Sequence, residues 1–332
     1  MKRILVIGAT GAMGQYLVPE LSRLGYAVDG LALDKPDASY PNVTFYQGNA
    51  KDKATLDAFL ERHYDGIVDF MTYSSAEAAV ELPRITSYTD HYIFLSSCRV
   101  FNDLEVPVKE SSPRLLDSST DPVLLASDDY CIYKAKEENI LRGLPHNHWT
   151  IVRPSTTYSF LRYQLVTLEA KDTVGRAFAG KPVIVPIQAH DIPATLCWGG
   201  DVAKMIAQLL FNEQALGTDF NVTTNESHPW HEIADYYTDI CGLRPVWVDK
   251  EDYLSILSGG DIKNVFRWQL EYARLFRRVY DNTKMCAVTG LQQSEFRSLY
   301  EGLKHEITRT PKDRLGPTNP LMDVYCEQHG IR

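Results

Sequence analysis

One short segment, Gly8-Ala9-Thr10-Gly11-Ala12-Met13-Gly14, limits what this chain can fold into more than any other. It follows an apolar, β-branched run, Ile4-Leu5-Val6-Ile7, which reads as a buried parallel strand. After it, Met13, Leu17, Leu21 and Leu24 recur at helical spacing until Gly25 ends the helix. Glycines between a strand and a helix allow a tight turn and close backbone approach by a pyrophosphate. The free N–H groups and positive dipole end of the helix then meet the anion. Three glycines alone are weak evidence of a dinucleotide site; with a strand before, a helix after and an acid at the next strand end, the pattern becomes specific.

That acid is Asp34, at the end of the expected strand 27–33 and about 20 residues past the glycine turn. A carboxylate there accepts hydrogen bonds from the adenosine ribose and repels a 2′-phosphate, which favours NAD over NADP. Lys35 beside it blunts that preference, and a plain turn role before Pro36 is the competing reading.

The same rhythm continues. Strands are expected at 43–46, 67–71, 92–95, 149–152 and 219–222. Helices are expected at 51–63, 130–141 and 201–211, with a loop at 111–128. Alternation of this kind predicts an α/β fold, a Rossmann-like doubly wound parallel sheet, with a smaller C-terminal substrate lobe. Residues 1–160 are assigned to the dinucleotide domain, with 191–222 returning to it. Residues 161–190 and 223–332 are assigned to the lobe. The tail after Pro311 has no readable pattern.

Composition excludes several classes. A formal net charge of -9 argues against a general nucleic-acid surface, and no apolar stretch reaches membrane-spanning length. The six cysteines are scattered, without zinc spacing, so no metal site is expected and reduced cytoplasmic thiols fit best. His228 and His231 read as capping or surface residues.

Tyr130 and Lys134 stand four apart on one helix face. An ammonium beside a phenol favours the phenolate, which can then take a hydroxyl proton as hydride leaves for a nicotinamide. Tyr133 is a poorer candidate, because Glu137 lies four beyond it. Ser96-Ser97 ends the fifth strand, on the sheet edge where ligands bind, and a hydroxyl there can hold the reacting oxygen.

Taken in order, the glycine turn, Leu95-Ser96-Ser97-Cys98-Arg99-Val100-Phe101, the Tyr130/Lys134 pair, Arg153-Pro154-Ser155-Thr156-Thr157-Tyr158, Gly200-Asp201-Val202-Ala203 and Asp281-Asn282-Thr283-Lys284 resemble the NAD-dependent epimerase/dehydratase family of extended short-chain dehydrogenases. The resemblance reaches to about residue 305. It implies Tyr130 as acid/base, Lys134 as its tuner and ribose ligand, and Ser97 as holder of the substrate hydroxyl. It implies cofactor contacts from Gly8, Thr10, Gly11, Ala12, Met13, Gly14, Asp34, Asn49, Ala50, Met71, Tyr130, Lys134 and Pro154. For a nucleotide-sugar substrate it implies contacts from Ser97, Cys98, Arg99 and Thr156. One of Arg274, Arg277 and Arg278 would clamp a diphosphate, with Arg277 preferred. A homodimer is expected on the same ground.

Departures from the family pattern are informative. Asn49 stands where many relatives have Asp, Phe70-Met71-Thr72-Tyr73 replaces a small segment, and Thr156 replaces an asparagine. Cys98 and Arg99 occupy the Asp and Glu positions of the family's 4,6-dehydratases, which disfavours ordinary dehydration. C4 epimerisation through a 4-keto sugar needs only the Ser/Tyr/Lys set and NAD, and is the expected reaction. An NAD(P)H-dependent reductase or dehydrogenase of a keto sugar, an atypical dehydratase using Cys98, and a non-catalytic dinucleotide- or RNA-binding relative remain as alternatives.

Overall fold

The computed structural model describes residues 1–331, the side chains of residues 264 and 265 aside. Seven strands form one parallel sheet: β1 (Arg3–Ile7), β2 (Ala27–Ala32), β3 (Val43–Gln47), β4 (Tyr64–Asp69), β5 (Thr89–Leu95), β6 (Trp149–Arg153) and β7 (Thr218–Asn221). Their spatial order is β3-β2-β1-β4-β5-β6-β7. The chain builds outward from β1 to β3, then crosses back to β4. Ile7 at the end of β1 lies between Leu31 and Asp69. The order reverses there, and a crevice opens beyond the strand ends.

Helices cover both faces. On one side, Ile4 and Val6 pack with Leu17, Val18 and Leu21 of α1 (Gly14–Arg23) and Val202 and Ile206 of α5 (Gly199–Leu209). On the other, Leu5 and Ile7 pack with Leu56 of α2 (Lys53–Leu60) and Leu82 and Ile85 of α3 (Ser75–Thr86). Leu141 of α4 (Tyr130–Arg142) joins this second face. Side chains alternate across a strand, so a sheet buried on both faces needs the unbroken apolar run seen in β1. Each such fully buried Leu or Ile contributes roughly 1.5–3 kcal/mol of transfer free energy.

A third cluster gathers Tyr158, Tyr163, Val183, Ile184, Trp230, Tyr237, Leu254 and Leu303 from the rest of the chain. It joins the sheet region through Glu306. Tyr16 of α1 and Trp198 both donate to one oxygen of that buried carboxylate, each at 2.7 Å. Arg332, the last residue of the expected lobe, lies outside the described residues.

One expectation needs correction, and two further helices had no reading in the sequence. The presumed loop 111–128 contains two short helices, Leu115–Ser118 and Pro122–Ala126. Asp121 caps the second, and Pro122 fills its first position. The tail holds helix Pro320–Gln328, capped by Asn319 and anchored by buried Met322 and Cys326. The α3 helix was not anticipated. Its signal was a capping box, in which Ser74 and Glu77 satisfy each other's backbone N–H groups.

Candidate active site

The glycine turn folds as a cradle at the end of β1. Gly8 takes φ +83°, a conformation that side chains rarely adopt. A Cβ on Gly14 would stand 2.3 Å from the Gly8 carbonyl oxygen, so only glycine lets α1 start this close to the turn. Met13, the residue before α1, makes no side-chain cap, and the helix N-terminus faces a cavity of about 450 Å³. Thr10 Oγ donates to Asp34 Oδ1 at 2.5 Å, tying the turn to the end of β2. A cradle that a Cβ would fill, an uncapped helix end and an exposed carboxylate at β2 suit a dinucleotide.

The cavity wall brings together Gly8, Gly11, Ala12, Met13, Gly14, Ser97, Cys98, Arg99, Tyr130, Pro154 and Thr156. Tyr130 opens α4, whose start is fixed by Asp129 accepting from the Cys131 N–H. Ser97 lies just past β5, and its hydroxyl accepts from the Arg99 N–H at 3.1 Å. Ser96, by contrast, points into the core and donates to Glu138 Oε1 at 2.6 Å. Glu138 in turn takes Arg153 bidentately, Nε at 2.7 Å and Nη2 at 2.8 Å. Burial alone would raise the Glu138 carboxyl, but Arg153 outweighs it and holds the group at about 2. This buried pair fixes the start of the Arg153-Pro154 segment against α4.

Several expected contacts fall elsewhere. Asn49 is exposed, and its side chain accepts from the Lys51 N–H. Ala50 is buried in the core, and Met71 lines a neighbouring hollow with Phe70, Thr72, Tyr73 and Tyr133. Lys134 is not on the cavity wall. Its Nζ lies 2.8 Å from Glu137 Oε2 and 4.7 Å from the Phe94 ring centre. Glu137, one turn along the same helix, is the acid that faces this buried ammonium. Burial pushes the Glu137 carboxyl up to about 7, against the opposing pull of Lys134.

Arg277 also turns away, exposed and paired with Asp103 at 3.1 Å. Its neighbours Arg274 and Arg278 line the cavity instead. Arg274 donates to Thr156 Oγ1, Gln164 Oε1 and the Val166 carbonyl, all neutral. Burial, reinforced by the positive charge of Arg99, lowers it to about 10. Sequence reasoning did not anticipate Arg162, Gln164, Glu169, Gln269 or Tyr280 on this wall, and no local motif signals them. Cys98 donates from Sγ to the Arg153 carbonyl at 3.2 Å, and burial pushes its thiol up to about 12.

Away from the cavity, His228 pairs with Glu226 and Glu232. His190, Asp191 and His231 come within 4.8 Å of one another. The two imidazoles stack with ring centres 4.5 Å apart.

Residues 4–91 match the family described as NAD dependent epimerase/dehydratase family. No curated protein matches the chain. Several solved structures share its fold. The epimerase Mth375 of Methanothermobacter thermautotrophicus aligns with a TM-score of 0.70 at 14% identity, covering 92% of this chain and 91% of that one. The UDP-glucose 4-epimerase of Thermotoga maritima, solved with UDP-glucose, gives 0.65 at 18%, covering 92% and 97%. MoeE5, solved with UDP-glucose and NAD, gives 0.67 at 14%, covering 92% and 97%.

Proposed function

We propose that this protein, a member of the NAD-dependent epimerase/dehydratase family through residues 4–91, inverts C4 of a nucleotide-linked sugar through a 4-keto intermediate. The observation that carries this reading is the meeting of the Ser97 and Tyr130 side chains with the glycine turn around one cavity. NAD bound on that turn would supply the chemistry of accepting the C4 hydride and returning it.

The chain's own groups handle the proton and the oxygen. The Tyr130 phenolic oxygen takes the proton of the C4 hydroxyl during oxidation and gives it back during reduction. The Ser97 hydroxyl donates a hydrogen bond to the same substrate oxygen and keeps it in place while the sugar presents its other face. Asp34 and Thr10 hold the adenosine ribose. Arg274 faces the substrate end and offers its charge to a phosphate. Dehydration gains no support from Cys98, whose thiol is engaged with a backbone carbonyl and raised by burial. Two solved proteins of the same fold hold UDP-glucose, in line with a nucleotide-linked substrate.

The test is to denature purified protein and identify any released dinucleotide and its oxidation state by mass spectrometry. Stoichiometric NAD is expected of a cofactor recycled within each turnover. A site that arrives empty and then takes up NADPH points to a reductase instead. Tyr130→Phe should abolish turnover while dinucleotide binding survives; turnover near that of the wild type removes Tyr130 from the mechanism.

A further inference from the structure

Two stretches of chain meet where His190, Asp191 and His231 come together. The first follows strand Pro182–Pro186 through the short turn of helix Ile187–Ala189, and the second opens helix Trp230–Cys241. Their backbones are laced to each other. The His231 N–H donates to the His190 carbonyl at 3.0 Å, the Trp230 N–H donates to the Ile192 carbonyl at 3.2 Å, and Pro229 pairs with Pro193. This lacing also sets the side chains. His190 Nδ1 lies 2.6 Å from Asp191 Oδ1, and His231 Nδ1 lies 3.3 Å from the same oxygen. Two imidazole nitrogens thus face one carboxylate oxygen, and the three donors fall within 4.8 Å of one another. The His190 carbonyl oxygen, 3.0 Å from His231 Nδ1, is a further oxygen at the same place.

Donors that share a tetrahedral divalent ion stand about 3–3.5 Å apart, since each lies ~2.0–2.2 Å from the metal. The two nitrogen–oxygen separations are already close to that spacing. An imidazole frees its Nδ1 for an ion by carrying its proton on Nε2. All three side chains reach solvent, Asp191 at 84% exposure, so an ion has direct access. We propose that His190, Asp191 and His231 form a site for one divalent transition-metal ion, with water completing its coordination. Imidazole with carboxylate suits zinc, nickel or copper, whereas magnesium and calcium favour oxygen alone. The ion would staple the two stretches, and both stretches hold the backbone of cavity arginines. The Pro193 carbonyl accepts from the Arg278 N–H at 2.9 Å, and Trp230 Nε1 donates to the Arg274 carbonyl at 3.1 Å. A metal here therefore stiffens the segment that carries Arg274 and Arg278. The site stands whatever reaction the cavity performs.

Calorimetry tests it. Protein stripped with EDTA and dialysed is titrated with Ni²⁺, Zn²⁺ and Mg²⁺. One Ni²⁺ or Zn²⁺ per chain is expected at micromolar affinity, without Mg²⁺ uptake in that range, and Ni²⁺ should raise the melting temperature. His231→Ala and Asp191→Ala should each weaken Ni²⁺ binding by about ten-fold or more, at least what the loss of a group supporting a ligand costs. Each should also remove the Ni²⁺-dependent rise in melting temperature. Asp191→Ala alters an exposed side chain, so its effect reads the ligand and not the fold. His146→Ala, which breaks the stacked pair His146/His148, should bind Ni²⁺ as the wild type does. Absence of Ni²⁺ and Zn²⁺ binding, equal uptake of Mg²⁺, or Ni²⁺ affinity unchanged in His231→Ala or Asp191→Ala overturns the site. None of these outcomes touches the sugar reading, which the released dinucleotide tests separately.

Discussion

Lys134 Nζ and Glu137 Oε2 lie 2.8 Å apart, and both side chains are closed to solvent. The lysine expected to face a nicotinamide ribose is instead held inside the fold by an acid of its own helix. Asp69, also fully buried, accepts from Tyr73 and Tyr92 at 2.7 Å each, and its carboxyl is raised by burial. Its charge adds to the upward push on Glu137. The base of α4 therefore holds two acids that resist ionisation around one ammonium.

Glu137→Gln should change how stability responds to pH. The folded-state value of Glu137, about 7, lies above its ordinary 4.5. Its contribution is therefore fully present below 4.5 and lost as pH rises through 7. Between pH 5 and pH 8 the variant should gain on the wild type by up to about 3 kcal/mol. Urea unfolding of both proteins at the two pH values measures the gap, and a constant gap contradicts the assignment.

Glu138 has the opposite sign. Arg153 holds its carboxyl at about 2, below the ordinary 4.5, so its contribution is present above 4.5 and is lost as pH falls toward 2. Glu138→Ala leaves the fully buried Arg153 guanidinium with Asp219 alone, at 2.6 Å, and should cost up to about 3 kcal/mol at pH 7. The deficit should narrow at pH 3. Equal deficits at pH 3 and pH 7 would show that Glu138 matters for packing and not for charge.

Gly14→Ala should destroy the cradle. Its Cβ would meet backbone atoms at 2.3 and 2.7 Å, which cannot move as a flexible side chain can. A loss beyond the about 1–3 kcal/mol usual for overpacking is expected, with dinucleotide binding gone. Gly143→Ala is the control, because its nearest contact would be 3.4 Å away. Thermal melts with and without NAD compare the two.

Asp34→Ala should weaken NAD binding about ten-fold and NADP binding less, since the variant loses a charged acceptor and a repulsive charge together. The Thr10 hydroxyl also loses its partner. Titration of both dinucleotides reads the ratio, and an unchanged ratio moves the ribose contact to other residues.

Local signals were legible wherever the chain itself carries the physics. The β1 run, the glycine turn and the Asp34 position come from backbone sterics, periodicity and strand length within one βαβ unit, and the sheet order follows from their alternation. Even α3, which was overlooked, had its capping box written at Ser74 and Glu77. The direction of a long side chain is different. Arg274, Arg277 and Arg278 share one short segment, yet two line the cavity and one meets Asp103, more than 170 positions away in sequence. Lys134 could turn to the cavity or to Glu137, and burial decided for Glu137. The sequence by itself determined the fold class and the place of the turn, because those depend on neighbours along the chain. Which cations face the ligand was decided only by tertiary structure, because the elements packed around each long side chain set the direction it takes.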